Sequence, residues 1–262
     1  MHAAEIGVVI PTWNSAKTLA TTLLSLEQQV DARLRIVVAD SGSTDGTLRL
    51  CSTAQIPTVY VPPGNMYRAV NAGARQLDTP WIAYLNSDDF VYRDTYARLV
   101  SRGETAGADV VYGNVDFVDA DGRFLYSLQA ARPGALRQLF GAFLFGFMPH
   151  AAVFRRRTFD ALGGFDESFR HIADMDLFAR ACCAGQRFAS VPYPSVAVFR
   201  IHADQLSRRE RNVVRHELVQ LQTRLGRKSR LAGGWAILEW KARNIRQYLL
   251  RWLRTGSFRR AV

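Results

Sequence analysis

The strongest constraint on the fold is the alternation of short apolar runs with helix-period segments over residues 1–90. Four apolar runs predict buried strands at Ile6–Pro11, Arg35–Asp40, Thr58–Val61 and Trp81–Leu85. The segments between them predict helices, because their apolar residues recur every three or four positions. This order predicts an α/β fold with a mainly parallel sheet flanked by helices. Such sheets bind ligands where their strands end.

The rest of the chain is less regular. Strands are predicted at Asp109–Gly113, Arg123–Leu128, Phe188–Val191 and Val196–Arg200, with a helix at Asp174–Ala184. Asp121-Gly122 predicts a tight turn, and Ser15 a cap of the first helix. From Ser207 onward the chain is expected to be helical. Its apolar residues form two stripes: Val214, Leu218, Leu221 and Leu225, then Leu231, Trp235, Leu238, Ala242, Ile245, Leu249 and Trp252.

Positive charge is concentrated at the end of the chain. The net charge is +11, but residues 208–262 alone carry 15 basic and 3 acidic side chains. The remaining residues are close to neutral, with 19 basic and 20 acidic side chains. A nucleic-acid enzyme more often spreads positive charge over its working surface, so the pattern argues against a nucleic-acid partner. It predicts a tail that docks to something anionic, outside the catalytic core.

Polar clusters follow the first two predicted strands. They read Pro11-Thr12-Trp13-Asn14 and Asp40-Ser41-Gly42-Ser43. Asp40 stands where its strand ends, so its carboxylate would point into the crevice and accept hydrogen bonds from a nucleobase or a ribose. The alternative is a Gly/Ser turn whose Thr44 or Asp45 caps the next helix. The G-x-G-x-x-G fingerprint and the P-loop do not occur, which removes the main support for a dinucleotide enzyme or an ATP hydrolase.

A third cluster, Asn86-Ser87-Asp88-Asp89, follows the fourth predicted strand. Two adjacent carboxylates repel each other unless a cation lies between them. Oxygen ligands with open coordination positions suit Mg²⁺ or Mn²⁺ bridging to a diphosphate. The alternative is a pair of capping aspartates before a helix near Arg93.

Two aspartates begin the helix predicted at residues 174–184. Asp176 lies four residues before Arg180 and predicts a surface ion pair. Asp174 shares its face with apolar residues, so it points toward the cleft mouth as a helix N-cap, a general base or both. Among the histidines, His150 is expected to be structural. His202 follows the last predicted strand and is therefore expected near the crevice.

In order and spacing, the motifs of this chain resemble those of family-2 glycosyltransferases. They are PTWN, DSGSTDGT, NMYRAVNAG, LNSDD, GGFDESF, IADMDLFAR and FRIH, and they extend from Ile6 to Ser207. The resemblance implies the GT-A nucleotide-diphospho-sugar transferase fold. It also implies transfer of a sugar from a nucleotide-diphosphate donor to an acceptor hydroxyl, with inversion of the anomeric centre.

The resemblance assigns a role to each matching residue. Asp174 would be the general base that deprotonates the acceptor hydroxyl. Asp88 would bind the divalent cation, Mn²⁺ or Mg²⁺, that bridges the donor diphosphate. His202 occupies the position of a histidine that approaches this metal or the diphosphate in some relatives. The implied donor-binding residues are Pro11, Thr12, Asn14, Asp40, Arg68, Asn86, Ser87 and Asp88.

The chain departs from the family pattern at two of these positions. Arg68 replaces an acidic residue, and Asn86 replaces an aspartate of the D-x-D motif. The candidate base and the candidate metal carboxylate both remain. Two alternatives stay open. A sugar-phosphate nucleotidyltransferase would favour a Gly-rich phosphate loop after the first strand, whereas a non-catalytic nucleotide-sugar-binding module would lack the base or the metal ligand.

These observations predict a GT-A domain at residues 1–206 and a basic amphipathic helical extension at residues 207–262. Within the domain, residues 1–114 would form the nucleotide-binding half and residues 115–206 the acceptor half. We expect an enzyme of cell-surface polysaccharide or glycolipid biosynthesis. Its substrates would be a nucleotide-sugar donor and a saccharide or lipid-linked acceptor.

The basic extension has two interpretations. In the first, its helices pack their apolar stripe on the body or on a second copy in a homodimer. In the second, the extension lies on a membrane, with Trp235, Trp240, Trp252 and the arginines in an anionic headgroup layer. In the second case the apolar stretch Leu139–Met148 could face a lipid chain; otherwise it is a buried core helix. Three cysteines without metal-ligand spacing indicate a reducing compartment. We therefore expect a cytoplasmic protein, placed on the inner membrane face under the second interpretation.

Overall fold

A computed structural model describes residues 4–202, 211–224 and 234–257. The strands are β1 (Ala4–Thr12), β2 (Ala32–Asp40), β3 (Thr58–Tyr60), β4 (Trp81–Tyr84), β5 (Phe90–Val91), β6 (Val110–Tyr112), β7 (Val115–Val118), β8 (Phe124–Leu128), β9 (Ala152–Arg155), β10 (Phe188–Ser190) and β11 (Ala197–Arg200). The helices are α1 (Leu19–Glu27), α2 (Thr47–Thr53), α3 (Met66–Arg75), α4 (Thr95–Ala106), α5 (Leu136–Gly141), α6 (Arg156–Ala161), α7 (Ala173–Cys183), α8 (Arg211–Arg224), α9 (Gly234–Arg243) and α10 (Ile245–Thr255). The predicted helix start at Ser207 and the stripe members Leu225 and Leu231 lie outside the described residues.

Seven strands form the main sheet, in the order β10-β6-β9-β4-β1-β2-β3. Neighbouring strands are parallel except at β9, which runs antiparallel to both β4 and β6. This sheet and its flanking helices confirm the predicted α/β class. The sequence did not predict β9, because its apolar residues continue the run that starts at Leu139 without a period that separates strand from helix.

The register of the central strands brings their carboxyl ends together. Thr12 at the end of β1 lies directly opposite Asp40 at the end of β2. On the other side of β1, the N–H of Leu85 donates to the carbonyl of Val9 at 3.0 Å. Helix α3 packs closely over β1, since a Cβ placed on Gly73 would lie 2.4 Å from Val9 Cγ1. The polar loops that follow these strands therefore share one edge of the sheet.

A second sheet has the order β5-β11-β7-β8. Strands β7 and β8 form an antiparallel hairpin, and β11 lies parallel to β7 and antiparallel to β5. The turn of the hairpin contains Gly122 in the left-handed region, at φ 83°, which confirms the turn predicted at Asp121-Gly122. Strand β11 ends two residues before His202, so this sheet carries that histidine to the main crevice.

The last two described helices cover the outer edge of β8. Gln247 Oε1 accepts the N–H of Ser127 at 2.9 Å, and Asn244 Oδ1 accepts the N–H of Gln129 at 2.8 Å. The Trp240 indole N–H donates to the Gln129 carbonyl at 2.9 Å. Side chains from α9 and α10 therefore satisfy an edge that would otherwise present free backbone groups.

The apolar stripe predicted for these helices does not pack on the body. Its exposed large members, together with the neighbouring Leu253, form a surface that we call the outer face: Trp235, Leu238, Ile245, Leu249, Trp252 and Leu253. Their exposed fractions run from 47% to 82%. The prediction that this stripe packs on the body is therefore wrong, and packing on a second copy remains a prediction. No helix in the described ranges has the length and apolar content needed to cross a membrane.

Two local predictions also require correction. The stretch Leu139–Met148 is not one core helix, because α5 ends at Gly141 and Phe143 adopts a left-handed φ of 56°. Phe147 and Met148 are nevertheless buried. Ser15 does not cap the first helix with its side chain, since α1 begins only at residue 19 and the Ser15 hydroxyl bonds elsewhere.

Candidate active site

The side chain of Asp40 links the loops after β1 and β2. Its carboxylate accepts hydrogen bonds from Thr12 Oγ1 (3.0 Å), Gly42 N (2.9 Å), Ser43 N (2.8 Å) and Ser43 Oγ (2.5 Å). Only 2% of Asp40 is exposed. A carboxylate with several strong donors fixes the backbone around it, so Asp40 orders this loop. Its contact with a nucleoside stays a prediction.

Asn14 makes a second link between the same loops. Its backbone is left-handed, at φ 51°, a conformation that asparagine adopts more readily than most residues. The N–H of Asn14 donates to Ser43 Oγ at 2.8 Å, and Asn14 Oδ1 accepts the N–H of Thr44 at 2.9 Å. Pro11 is buried at the end of β1, whereas Trp13 is exposed beside the loop. The PTWN motif is therefore a fixed loop with one free aromatic surface.

The loop after β4 is bound to the first loop. The hydroxyl oxygens of Ser87 and Ser15 lie 2.7 Å apart. Thr22 Oγ1 donates to the carbonyls of Ser87 (3.0 Å) and Asp89 (2.7 Å). These contacts bring the first three polar clusters of the sequence to one place, as the parallel-sheet prediction requires.

Asp88 and His202 meet at this edge. Asp88 Oδ2 lies 2.8 Å from His202 Nε2, and both side chains are partly exposed. A carboxylate oxygen and an imidazole nitrogen are both ligands for Mn²⁺, and magnesium-type sites often use one or two carboxylates together with substrate phosphates. Nearby, the buried Asn86 Oδ1 has no hydrogen-bond partner among the described residues. These ligands fit a cation whose remaining coordination positions are filled by a diphosphate. No cluster of three or more metal-binding side chains occurs in the described ranges.

Asp89 does not join Asp88 as a second open carboxylate. It is buried, and it accepts the Asn86 side-chain N–H at 2.9 Å and the Arg200 backbone N–H at 3.0 Å. Burial, with the negative charge of Asp88, raises the pKa of Asp89 well above its usual range. The buried His150 lies 3.7 Å away, and burial lowers its pKa to about 4, so a neutral imidazole faces this carboxyl group. The alternative that Asp88 and Asp89 cap the next helix is wrong. Asp88 binds His202, Asp89 binds Asn86 and Arg200, and the N-cap of α4 is Asp94.

Asp174 lies in the first turn of α7. Its Oδ1 accepts the N–H of Met175 at 2.7 Å, but the cap position itself is Ile172, so the N-cap interpretation is wrong. Burial raises the pKa of Asp174 to about 7, against hydrogen bonds from Met175 and Tyr67 that lower it. The negative charge of Glu217 raises it further. A carboxyl group with a pKa near neutrality can exchange a proton at working pH, which suits a general base.

Side chains from the N-cap and the first turn of α3 hold the segment that leads to Asp174. The Asn65 amide donates to the carbonyls of Glu167 (2.7 Å) and Phe169 (3.0 Å). The Tyr67 hydroxyl donates to the carbonyl of His171 at 2.9 Å. Asn65 and Tyr67 belong to the NMYRAVNAG motif, so this motif supports residues 167–171, which lead to Asp174. The sequence singled out the motif without revealing this function.

Arg68 lies on the same helix but faces outward. Its Nε lies 3.4 Å from Glu167 Oε2, and both side chains are about two-fifths exposed. A pair this exposed contributes little to stability. The predicted contact of Arg68 with the donor stays a prediction.

The predicted surface pair of Asp176 and Arg180 is present but is not on the surface. Arg180 Nε donates to Asp176 Oδ2 at 2.7 Å, and Asp176 is only 4% exposed. Arg180 also donates to the carbonyls of Leu162 (2.5 Å) and Gly164 (2.9 Å). The prediction of a surface location was wrong because α7 is covered by the preceding loop on this side. The pair ties Gly164 to α7.

Tyr84, at the end of β4, is a buried tyrosine on which the charges of both Asp174 and Asp89 act. It is buried, and its pKa is raised well above its usual range by burial, then by the charges of Asp174 and Asp89. Tyr84 is therefore close enough to Asp174 and to Asp89 for both charges to act on its hydroxyl. No sequence signal separated Tyr84 from the other apolar residues of its strand.

The architecture also matches solved structures. TarS from S. aureus in complex with UDP-GlcNAc aligns with a TM-score of 0.66 at 16% identity, covering 92% of this chain and 73% of that one. A mannosyltransferase from Pyrobaculum calidifontis in complex with GDP-Man and Mn²⁺ gives 0.63 at 19%, covering 96% and 73%. At these identities the likeness shows the fold, which is that of the GT-A glycosyltransferases.

Sequence comparison identifies the family. The sequence model described as glycosyl transferase family 2 matches residues 7–163, so the chain belongs to that family. The succinoglycan biosynthesis protein ExoO of Rhizobium meliloti is 31% identical over 221 residues, which cover 78% of this chain and 63% of ExoO. A PGL/p-HBAD biosynthesis glycosyltransferase of Mycobacterium tuberculosis is 29% identical over 195 residues, covering 69% of this chain and 70% of that protein. The chain thus spans less than two thirds of ExoO.

Proposed function

We propose that the chain transfers a sugar from a nucleotide-diphosphate donor to an acceptor hydroxyl with inversion. One observation carries this proposal: the charges of Asp174, which has a pKa near 7, and of Asp89, the chain neighbour of the His202-bound Asp88, both raise the pKa of the buried Tyr84. Inversion requires a base on one side of the sugar and the leaving group on the other. Two carboxylates from distant parts of the chain supply those two sides.

In the proposed reaction, Asp174 removes the proton of the acceptor hydroxyl while that oxygen attacks the anomeric carbon. The bond from this carbon to the diphosphate oxygen breaks, and the nucleoside diphosphate leaves with the electron pair. When bound, a divalent cation held by Asp88 and His202 would stabilise the negative charge of the leaving diphosphate. Thr12, Asn14 and Asp40 would hold the loops against which the nucleoside lies.

We base the proposed donor and acceptor on the relatives and the neighbouring structures. Neighbouring structures hold UDP-GlcNAc or GDP-Man, and relatives serve succinoglycan or PGL/p-HBAD biosynthesis. We propose a nucleotide-sugar donor of this kind and a saccharide or lipid-linked acceptor in cell-surface polysaccharide or glycolipid synthesis.

A donor panel tests this function. Thermal unfolding is measured with UDP-GlcNAc, GDP-mannose and the free nucleotides, each with Mn²⁺ and with excess chelator. Specific binding at about 100 times Kd stabilises the fold by about 2.7 kcal/mol, so one donor should raise Tm by several degrees. The same donor should release nucleoside diphosphate only with the cation present. An unchanged Tm with every nucleotide would refute the proposal. Full turnover in excess chelator would show that the reaction does not need the metal.

The outer face supports a further part of the proposal, namely that the extension lies on an anionic membrane. Its exposed apolar side chains include two tryptophans, and Lys241, Arg246 and Arg254 are exposed beside them. Amphipathic helices with this composition enter the headgroup layer of anionic lipids. This position would bring a lipid-linked acceptor to the crevice.

Vesicle flotation tests the membrane proposal. The wild-type chain should float with phosphatidylglycerol vesicles but not with phosphatidylcholine. Trp235→Ser with Leu249→Ser and Leu253→Ser should weaken binding at least about ten-fold, because each exposed side chain contributes apolar area. Leu24→Ser with Leu48→Ser, two exposed leucines on α1 and α2, is the matched control. If light scattering gives two copies per particle and the chain does not bind vesicles, the membrane proposal is contradicted and a homodimer is favoured.

A further inference from the structure

Glu217 is a buried carboxylate in a part of the chain that is otherwise strongly basic. It is the acidic residue of α8, and only 4% of it is exposed. It shares a helix face with Leu221, which is fully buried, and with the partly buried Val214 and Leu218. A carboxylate on an apolar face needs a specific partner, since burying an unpaired charge is costly.

The partners of Glu217 are two consecutive backbone amides. Glu217 Oε1 accepts the N–H of Arg170 at 2.6 Å, and Oε2 accepts the N–H of His171 at 2.9 Å. Hydrogen bonds that amide N–H groups donate to an ionised carboxylate are among the stronger ones in proteins. Because both oxygens are used, the carboxylate fixes the position and the orientation of these two peptide groups.

The clamped peptides lead directly into the first turn of α7. The carbonyl of His171 accepts the Tyr67 hydroxyl, and two residues later α7 begins with Ala173 and Asp174. The side chain of Glu217 and the side chain of Tyr67 thus hold the same residue through its N–H and its carbonyl. Asn65 donates to the carbonyl of Phe169, which belongs to the same peptide group as the Arg170 N–H that binds Glu217.

A second contact from α8 reinforces the first. Arg224 NH1 lies 2.5 Å from Asp166 Oδ2, and its guanidinium lies 4.8 Å from the centre of the Phe169 ring. Helix α8 therefore binds both ends of the segment 166–171. Arg224 contacts Asp166, and Glu217 accepts the N–H groups of Arg170 and His171. Of the interpretations of the basic extension, packing on the body is the one that these contacts of α8 support.

We infer that Glu217 is a positioning residue for Asp174, so that α8 is part of the catalytic unit and not an appendage. The inference rests on the proposed role of Asp174. A general base must lie within hydrogen-bond reach of the proton it takes, and an error of about 1 Å can cost about 100-fold in rate. Glu217 would set that distance through Arg170 and His171.

Glu217→Gln tests the inference, because the amide keeps the shape but turns a donor toward one of the two N–H groups. We expect kcat to fall about ten-fold with the donor KM within about two-fold of wild type, since the donor loops are untouched. Glu239→Gln is the matched control. It removes the same charge from α9, where Glu239 pairs with Arg132, and should leave kcat unchanged.

The pH profile separates positioning from general support of the fold. The groups that act on Asp174 are Tyr67 from α3, Tyr84 from β4 and Glu217 from α8. Both tyrosines stay neutral, because their pKa values lie well above the usual range. Removing the negative charge of Glu217 lowers the pKa of Asp174. The acid limb of kcat should therefore move to lower pH in Glu217→Gln and stay in place in Glu239→Gln.

Several outcomes would overturn the inference. They are an unchanged kcat in Glu217→Gln, a lower kcat with an unmoved acid limb, or an equal loss in Glu239→Gln. If Glu217→Gln does not fold, Arg224→Ala decides, because this half-exposed side chain can be removed without unfolding; we expect kcat to fall about three-fold, and no change overturns the inference. Full activity of Asp174→Asn would instead refute the proposed function.

Discussion

The two sides of the crevice are built in different ways. The proposed donor side consists of the loops after β1, β2 and β4, and it follows directly from the ends of paired strands. The proposed acceptor side consists of residues 163–176, and it is held by side chains from the N-cap of α3, from α7 and from α8 that bind its backbone. The donor side therefore inherits its geometry from the sheet, whereas the acceptor side depends on a few polar residues from distant parts of the chain.

The sharpest test of this comparison is Asp174→Asn. We expect kcat to fall by about 10²–10⁴-fold, because the amide cannot accept the acceptor proton, with donor affinity unchanged. Tm should rise by a few degrees at pH 8, since the wild-type carboxyl group must ionise in a partly buried site there. Enzyme kinetics and thermal unfolding measure the two effects. A near-normal rate would remove Asp174 from the catalytic role.

The pH dependence of wild-type turnover gives the next largest effect. A base with a pKa of about 7 is protonated below that value, so kcat should fall about ten-fold for each pH unit under it. Donor affinity should change less, because Asp174 belongs to the acceptor side. Stability has the opposite sign: ionisation of Asp174 destabilises the fold, so this residue's contribution becomes less favourable as pH rises from 4 to 7. An acid limb centred near pH 4 would contradict the assignment.

The smallest expected effect tests the donor side. Asp40→Asn replaces an acceptor oxygen by a donor amide facing Thr12 and Ser43, which should loosen the loop. We expect donor affinity to weaken about ten-fold, by the usual strength of a bond to a charged group, with a smaller change in kcat. Calorimetric titration with the donor selected by the panel measures it. A loss confined to kcat would show that the two sides are not separable in this way.

The same contrast explains what the sequence could predict. The strands that end at Thr12, Asp40 and Tyr84 were predicted because strong apolar runs are bounded by polar residues. The loops after them were predicted to converge because parallel strands share an edge. The separation of Asp88 from Asp89 was not predictable, since it depends on the backbone of Arg200 and on His150, which are far away in sequence.

The acceptor side was predicted only in part. Asp174 stood out by its place at the start of a helix, but the buried location of Asp176 depends on a loop that covers α7. Glu217 gave one signal, a single acid on an otherwise apolar helix face, and nothing in the sequence tied it to Arg170 or His171. The outer face was misjudged because periodicity identifies an apolar stripe without saying which face of a helix meets the body.

The covered edge of β8 has a consequence for shortened forms of the chain. Asn244, Gln247 and Trp240 supply the partners that another strand would otherwise supply to Ser127 and Gln129. A chain cut before α9 would present this strand unprotected, and it would tend to pair with its counterpart in a second molecule. Intermolecular strand addition, and with it insolubility, is the fate we expect for truncations designed to remove only the cationic segment.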